Sequence, residues 1–143
     1  MAAESVLLSI PMVLLNELIH RSSALAALTK LAATAYDSLL LSIGAGIYEE
    51  LVFRLIVIEA LSLLLIDIGR LRQVSGVALT VILSSLMFAG HHYPPIGADV
   101  WSTSAFAFRA AAGAYLAAVY VVRGFGLAVG CHVVYDIIAF AMP

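Results

Sequence analysis

The sequence predicts an all-α fold, a multi-pass transmembrane helical bundle with about four to six membrane helices. Composition is the first observation: 64% of the 143 residues are hydrophobic and 11% are charged, against roughly 25% charged in soluble domains. Patterning is the second, because leucine and alanine dominate and strand-like alternation is weak. A chain of this length cannot hide so much apolar surface from water. We therefore expect one integral membrane domain over residues 1–143.

The helices are predicted from apolar segments separated by polar breaks. The N-terminal region, residues 1–35, is expected to hold an interfacial or half-span helix, because Pro11 interrupts its apolar segment. Residues 31–66 are apolar for longer than one span, so we expect a span and then a second helix, with weak points at Gly44 and Gly46. The breaks lie at residues 20–30, 67–75, 91–104 and 123–124, and single spans are expected at residues 74–90, 105–122 and 125–141.

Charge and cysteine content exclude several classes of protein. Seven basic and nine acidic residues give a net charge of −2 without a basic patch, so we expect no nucleic-acid partner. Cys131 is the only cysteine, which excludes an internal disulfide and suits a small packing residue. The basic residues divide almost equally between the two sides, so membrane orientation stays open.

The most informative residues are ionisable groups inside apolar segments, where a charge costs about 2.5–3.5 kcal/mol at the centre of a span. Glu50 and Arg54 are four residues apart, a spacing that forms an ion pair on one helix face. Glu49 lies about 100° away on that helix and has no local partner. We expect Arg54 to hold Glu50 ionised and Glu49 to be free to act on a substrate or on water. Glu59, by contrast, is predicted to be a boundary, interface or capping group.

Two further motifs carry histidines. Phe88 and His92 share a helical face, whereas His91 is expected to point away towards the loop that begins at Tyr93. His132 and Asp136 also share a face. Their pairing either fixes the imidazole tautomer or presents two ligands to one metal ion. A carboxylate pair and two histidine motifs on three apolar segments therefore predict one buried polar site.

The three motifs, in this order, resemble the CPBP family of intramembrane proteases, also called the Abi family, which includes the type II CAAX prenyl proteases. The family pattern is EExxxR, FxxxH and HxxxN or HxxxD. Here it reads Glu49-Glu50-x-x-x-Arg54, Phe88-x-x-x-His92 and His132-x-x-x-Asp136. The resemblance covers roughly residues 36–142, which would form the catalytic core. The chain before Glu49 is short for the family, which suggests a truncated or minimal version.

The resemblance implies a function and a set of site residues. The activity would be hydrolysis of a peptide bond in a membrane-associated protein or peptide, of a CAAX type or a bacteriocin or leader type. Glu49 and His92 would activate the attacking water, and Glu50 and Arg54 would form a supporting pair. His132 and Asp136 would steady the oxyanion or complete the polar site. The partners would be membrane lipid and a membrane-bound, prenylated or leader peptide, in a bacterial or archaeal plasma membrane.

Several alternatives stay open at this point. The enzyme is either metal-dependent, with Glu49, His92 and His132 holding a divalent ion such as zinc, or glutamate-dependent without a metal. Asp136 replaces the asparagine of the best-known members, so it is either protonated or serves to orient His132. A non-catalytic immunity or scaffold protein could use the same bundle, as could a small transporter or proton relay. The substrate and the oligomeric state are open.

Overall fold

The computed structural model describes residues 1–20 and 35–141, and every regular element in those ranges is helical. The helices are numbered in chain order as α1 Ala2–His20, α2 Ala35–Glu50 with its continuation to residue 68, α3 Gln73–Gly90, α4 Thr103–Arg123 and α5 Phe125–Ala141. The predicted all-α bundle is confirmed. Apart from His20, the polar break predicted at residues 20–30 lies outside the described residues.

Helix α2 is longer and less regular than the sequence predicts. After Glu50 it continues without a break as a π-helix at Leu51–Ile58, an α-helical turn at Glu59–Ser62 and a second π-helix at Leu63–Ile68. The division expected at Gly44 and Gly46 is therefore wrong. Lipid offers no hydrogen-bond partner to a broken backbone, which favours an uninterrupted helix. The irregularity instead takes the form of π-helix directly after the two glutamates, and such segments are frequent at functional sites.

Helix α1 also runs further than expected. The sequence predicts a broken or half-span helix at Pro11, whereas the structure has one helix from Ala2 to His20 with Pro11 inside it. Its neighbour Met12 is buried with residues of α4 and α5 in the main apolar cluster, which comprises Met12, Phe108, Ala112, Leu116, Cys131 and Tyr135. Packing against these two helices holds α1 in place despite the missing backbone donor of proline.

Two glycines let neighbouring helices approach closely. A Cβ at Gly46 of α2 would lie 2.5 Å from Val133 Cγ2 of α5, and a Cβ at Gly113 of α4 would lie 3.0 Å from Phe88 Cδ1 of α3. Small residues permit this contact between membrane helices. As a result, the segments that carry the three motifs lie side by side.

The outer faces of the helices are apolar. Within the described ranges, three helical stretches are long and apolar enough to cross a membrane, namely Ala2–Ile19, Gln73–Gly90 and Thr103–Arg123, and Phe125–Phe140 is a shorter apolar helix. Many leucines on these faces are exposed, including Leu14 and Leu18 of α1. Contiguous exposed apolar surface of this extent suits lipid and not water.

Candidate active site

A fully buried ion pair lies at the start of the π-helical part of α2. Arg54 Nε is 3.0 Å from Glu50 Oε2, and both side chains are 0% exposed. The guanidinium also donates a hydrogen bond to the Gly113 carbonyl at 3.2 Å and lies 4.6 Å from the centre of the Phe88 ring. A buried charge needs this number of partners because desolvation costs several kcal/mol per ion. The pairing of Glu50 with Arg54 therefore has the geometry that the sequence spacing predicts.

Glu49 faces three imidazoles. Its Oε1 atom lies 3.7 Å from His91 Nε2 and 3.9 Å from His92 Nε2, and its Oε2 atom lies 3.8 Å from His132 Nε2. The Glu49 side chain is 15% exposed, so water can reach it while it cannot reach Glu50. The structure thus brings Glu49, His92 and His132 to one point, although they come from three different segments of the chain.

The position of His91 differs from the sequence prediction. His91 was expected to point away from the site, but its Nε2 atom is as close to Glu49 as that of His92. The reason is that α3 ends at Gly90, so the 100° spacing of a helix no longer separates the two residues. Both Nδ1 atoms lie on the Phe88 carbonyl oxygen, at 2.6 Å for His91 and 3.0 Å for His92. The polar break predicted from residue 91 onwards was the sequence signal for this helix end.

His132 is held by a partner that its own helix does not supply. Its Nδ1 atom is 2.8 Å from Glu50 Oε1, while its Nε2 atom is 3.7 Å from Asp136 Oδ2. Because a carboxylate can only accept a hydrogen bond, the His132 Nδ1 atom must carry a hydrogen and donate it to Glu50. The expected neighbour Asp136 is present, but Glu50 from α2 makes the short contact that fixes the ring.

The electrostatics of the two histidines after α3 differ, although their rings are only 4.0 Å apart. Burial lowers the pKa of His91, but the Glu49 carboxylate and the Phe88 carbonyl outweigh it, and the pKa lies above its ordinary value. Burial, followed by the charges of Arg109 and His91, lowers the pKa of His92 below its ordinary value. Positive charge is therefore favoured at His91, beside Glu49.

The loop at residues 91–102 is braced by Arg109 of α4. Arg109 donates to the Asp99 carboxylate and lies 5.3 Å from the centre of the Tyr93 ring. Tyr93 also contacts Trp101, with ring centres 4.9 Å apart, and its hydroxyl donates to the Ser102 carbonyl. This loop continues directly from the two histidines, so the bracing limits the movement of their backbone.

The comparisons with known proteins agree with the motifs. A family model described as "Type II CAAX prenyl endopeptidase Rce1-like" matches residues 30–138, a range that includes Glu49 and Asp136 and everything between them. The resemblance drawn from the three motifs is confirmed by this match. No curated protein and no solved structure matches the chain.

Proposed function

Because the chain belongs to the Rce1-like family of type II CAAX prenyl endopeptidases, we propose that it is an intramembrane endopeptidase that hydrolyses a peptide bond of a membrane-associated protein or peptide. The apolar helices and the family together make it an integral membrane protein. The observation that carries the proposed chemistry is the partly exposed Glu49 carboxylate, which has three imidazole nitrogens within 3.9 Å.

The two adjacent glutamates would have different tasks. Glu50 is fully buried, paired with Arg54 and engaged by His132, so it has no freedom to take up a proton from water. Glu49 has imidazole neighbours only at 3.7–3.9 Å, which is longer than a hydrogen bond and leaves its oxygens accessible. We propose that Glu49, together with His92, activates the water that attacks the scissile carbonyl carbon.

The remaining site residues, His132 and Asp136, would act on the oxygen of the scissile carbonyl group. His132 Nε2 lies 3.8 Å from Glu49 Oε2 and 3.7 Å from Asp136 Oδ2, whereas His91 and His92 are near Glu49 Oε1. We propose that His132, protonated on both nitrogens, donates its Nε2–H to the carbonyl oxygen as negative charge develops on it, and that Asp136 helps to orient the ring. In this arrangement Glu50 orients the His132 ring through Nδ1, and Arg54 in turn fixes Glu50.

The test is peptide cleavage by the purified full chain in lipid vesicles. The probes are a peptide with a prenylated CAAX terminus, the same peptide without the lipid and a hydrophobic leader peptide. We expect Glu49→Gln to reduce the cleavage rate by at least about 100-fold, because general base catalysis supplies about 10²–10⁴-fold. The fold should be unchanged, since the amide is isosteric with the carboxylate.

Glu59→Gln is the matched control, because Glu59 is on the same helix and hydrogen-bonds to Tyr120, outside the site. It should cleave at the wild-type rate. Full activity of Glu49→Gln with any of the three peptides would overturn the proposed role. If folded wild-type protein cleaves none of the peptides, yet its expression protects cells from a bacteriocin, the result would favour the alternative function as an immunity protein.

A further inference from the structure

The guanidinium of Arg109 has a hydrogen-bond donor that is not used. Its Nη2 atom donates to one oxygen of the Asp99 carboxylate. Its Nη1 atom is buried and, among the residues that the structure describes, has no hydrogen-bond partner. A buried N–H group without an acceptor is unfavourable, and a guanidinium presents its donors in a fixed fork that matches both oxygens of a carboxylate. Arg109 can therefore bind more than the single oxygen that it holds.

This guanidinium lies beside the candidate active site. Arg109 precedes Gly113 by four residues, about 6 Å along α4, and the Gly113 carbonyl accepts a hydrogen bond from the buried Arg54. The ring of Tyr93, which follows His92 directly in the chain, is 5.3 Å from the guanidinium carbon. Burial, and then the positive charge of Arg109, lower the pKa of His92. Arg109 is therefore close enough to the site to contact a peptide bound there.

The present partner of Arg109 can leave at little cost. The Asp99 side chain is 50% exposed and lies in residues 97–102, which have no regular secondary structure. An ion pair this exposed contributes little to stability. The backbone N–H of Asp99 donates to the His92 carbonyl at 3.1 Å. The Asp99 side chain can thus rotate into water while its backbone stays attached to the loop.

The charges around the site favour an incoming carboxylate at this position over others. Glu49 and Asp136 are themselves carboxylates and would repel another one. Arg54 is 0% exposed and holds Glu50, so a bound peptide cannot reach it, whereas the Arg109 side chain is 24% exposed. A carboxylate that takes the place of the Asp99 side chain also leaves the number of negative charges at the guanidinium unchanged.

We propose that Arg109 is a substrate-binding residue that takes up a carboxylate of the peptide substrate in exchange for the Asp99 side chain. The incoming group uses the free Nη1 donor as well as Nη2, and Asp99 occupies its place while no peptide is bound. The carboxylate is that of the peptide C-terminus or of an aspartate or glutamate side chain. The proposal rests on the proposed function, because it assigns a subsite of that same active site.

The experiment compares three forms of the prenylated peptide that differ only at the C-terminus: a free carboxylate, an amide, and an amide that follows a terminal aspartate. Each carries a fluorescent label at its N-terminus. Binding to the full chain in phosphatidylcholine nanodiscs is measured by anisotropy in a Glu49→Gln background, so that no peptide is consumed. We expect the free carboxylate to bind at least about tenfold more tightly than the amide, because hydrogen bonds between charged groups are the strong ones.

The added variant Arg109→Gln should bring this ratio of dissociation constants to about one. Asp99→Asn is the matched control, because it breaks the same ion pair and leaves the guanidinium in place. It removes the competing carboxylate, so the ratio should stay as high as in the parent or rise. If Arg109 only braces the loop, both variants change the binding of all three peptides alike.

The proposal is overturned if Arg109→Gln keeps the preference for the carboxylate, or if Asp99→Asn loses it together with Arg109→Gln. The aspartate peptide identifies the source of the group: tight binding means that a side chain can supply the carboxylate, and weak binding restricts it to the C-terminus. If Arg109→Gln does not fold, Arg109→Lys takes its place. Lysine keeps the charge without the fork, so the ratio should fall below that of the parent.

Cleavage by the chain with Glu49 intact separates the two proposals. A preference in binding that depends on Arg109, without cleavage of any peptide, supports the carboxylate subsite and overturns the protease function. Cleavage of the carboxylate and amide forms with the same kcat/KM, together with equal affinities, overturns the subsite and leaves the protease function standing. Where both hold, the effect of Arg109→Gln on the carboxylate peptide should appear mainly in KM, as expected for a contact made before and during the reaction.

Discussion

Two acidic positions on α2 have opposite surroundings. Glu50 is fully buried and is held by Arg54 of its own helix and His132 of α5. Glu59, further along the same helix, is exposed, and it accepts a hydrogen bond at 2.6 Å from the Tyr120 hydroxyl of α4. The first carboxylate has a permanent cation and an imidazole as partners, and the second has a neutral phenol. Packing against neighbouring helices thus decides the role of a carboxylate in this apolar helix.

The largest effect is expected when the positive charge of Arg54 is removed. Arg54→Ala removes the permanent cation beside the buried Glu50 carboxylate and leaves it with His132 alone, so we expect the free energy of unfolding to fall by about 3–5 kcal/mol. The measurement is denaturant unfolding of the helical signal in detergent. The control is Arg72→Ala, which removes an exposed arginine and should change stability by less than about 0.5 kcal/mol.

A double variant tests whether the loss of stability comes from the buried charge that remains on Glu50. Arg54→Met combined with Glu50→Gln removes both charges, so it should recover part of the stability that Arg54→Ala loses. If Arg54→Ala unfolds at the same denaturant concentration as Arg72→Ala, the buried pair does not contribute to the fold as described.

A smaller effect is expected from the helix contact that brings α5 to Glu50. In Gly46→Ala the new Cβ would lie 2.5 Å from Val133 Cγ2 and 3.2 Å from the Val133 backbone nitrogen. We expect a loss of about 1–3 kcal/mol, which is typical of overpacking, together with lower cleavage activity as His132 moves away from Glu50. Unfolding and cleavage are measured on the same preparation.

Gly44→Ala is the matched control for this variant, because a Cβ there has nothing within 4 Å. It should raise stability by up to about 1 kcal/mol, the difference between the helix propensities of alanine and glycine. Equal behaviour of the two alanine variants would show that α2 and α5 do not approach each other as closely as the structure has them.

The smallest effect is expected at the exposed carboxylate. Tyr120→Phe removes the hydroxyl that donates to Glu59, and we expect a change in unfolding free energy of no more than about 0.5 kcal/mol, as for most exposed sites. Cleavage should be unchanged, which peptide assays in vesicles can verify. A loss as large as that of Gly46→Ala would contradict the distinction between the two carboxylates.

The contacts of Glu50 show which parts of the site can be predicted from the sequence. The pair Glu50 and Arg54 was predictable because four-residue spacing on a helix is local information. The same spacing suggested Asp136 as the residue that orients His132, but the short contact comes from Glu50 of α2. That contact depends on how closely two helices pack, which the spacing within one helix does not encode.

Helix ends and helix irregularities were the other reason why the structure differs from the sequence prediction. His91 was assigned to the wrong direction because the helical pattern was extended past Gly90, where α3 ends. The continuation of α2 as π-helix after Glu50 had no sequence signal, because π-helical and α-helical segments have similar composition and differ only in hydrogen bonding. The fold class and the three motifs were predictable, while the exact partners within the site were not.

The carbonyl of Phe88 has a further consequence for how the site can change. It is a backbone atom, and it alone receives the Nδ1 hydrogens of His91 and His92. No side-chain substitution at residue 88 can delete this carbonyl, so both rings keep the same hydrogen-bond acceptor in any variant at that position. For the same reason the rings cannot be adjusted one at a time through this anchor: any shift of the last turn of α3 moves both nitrogens together with respect to Glu49.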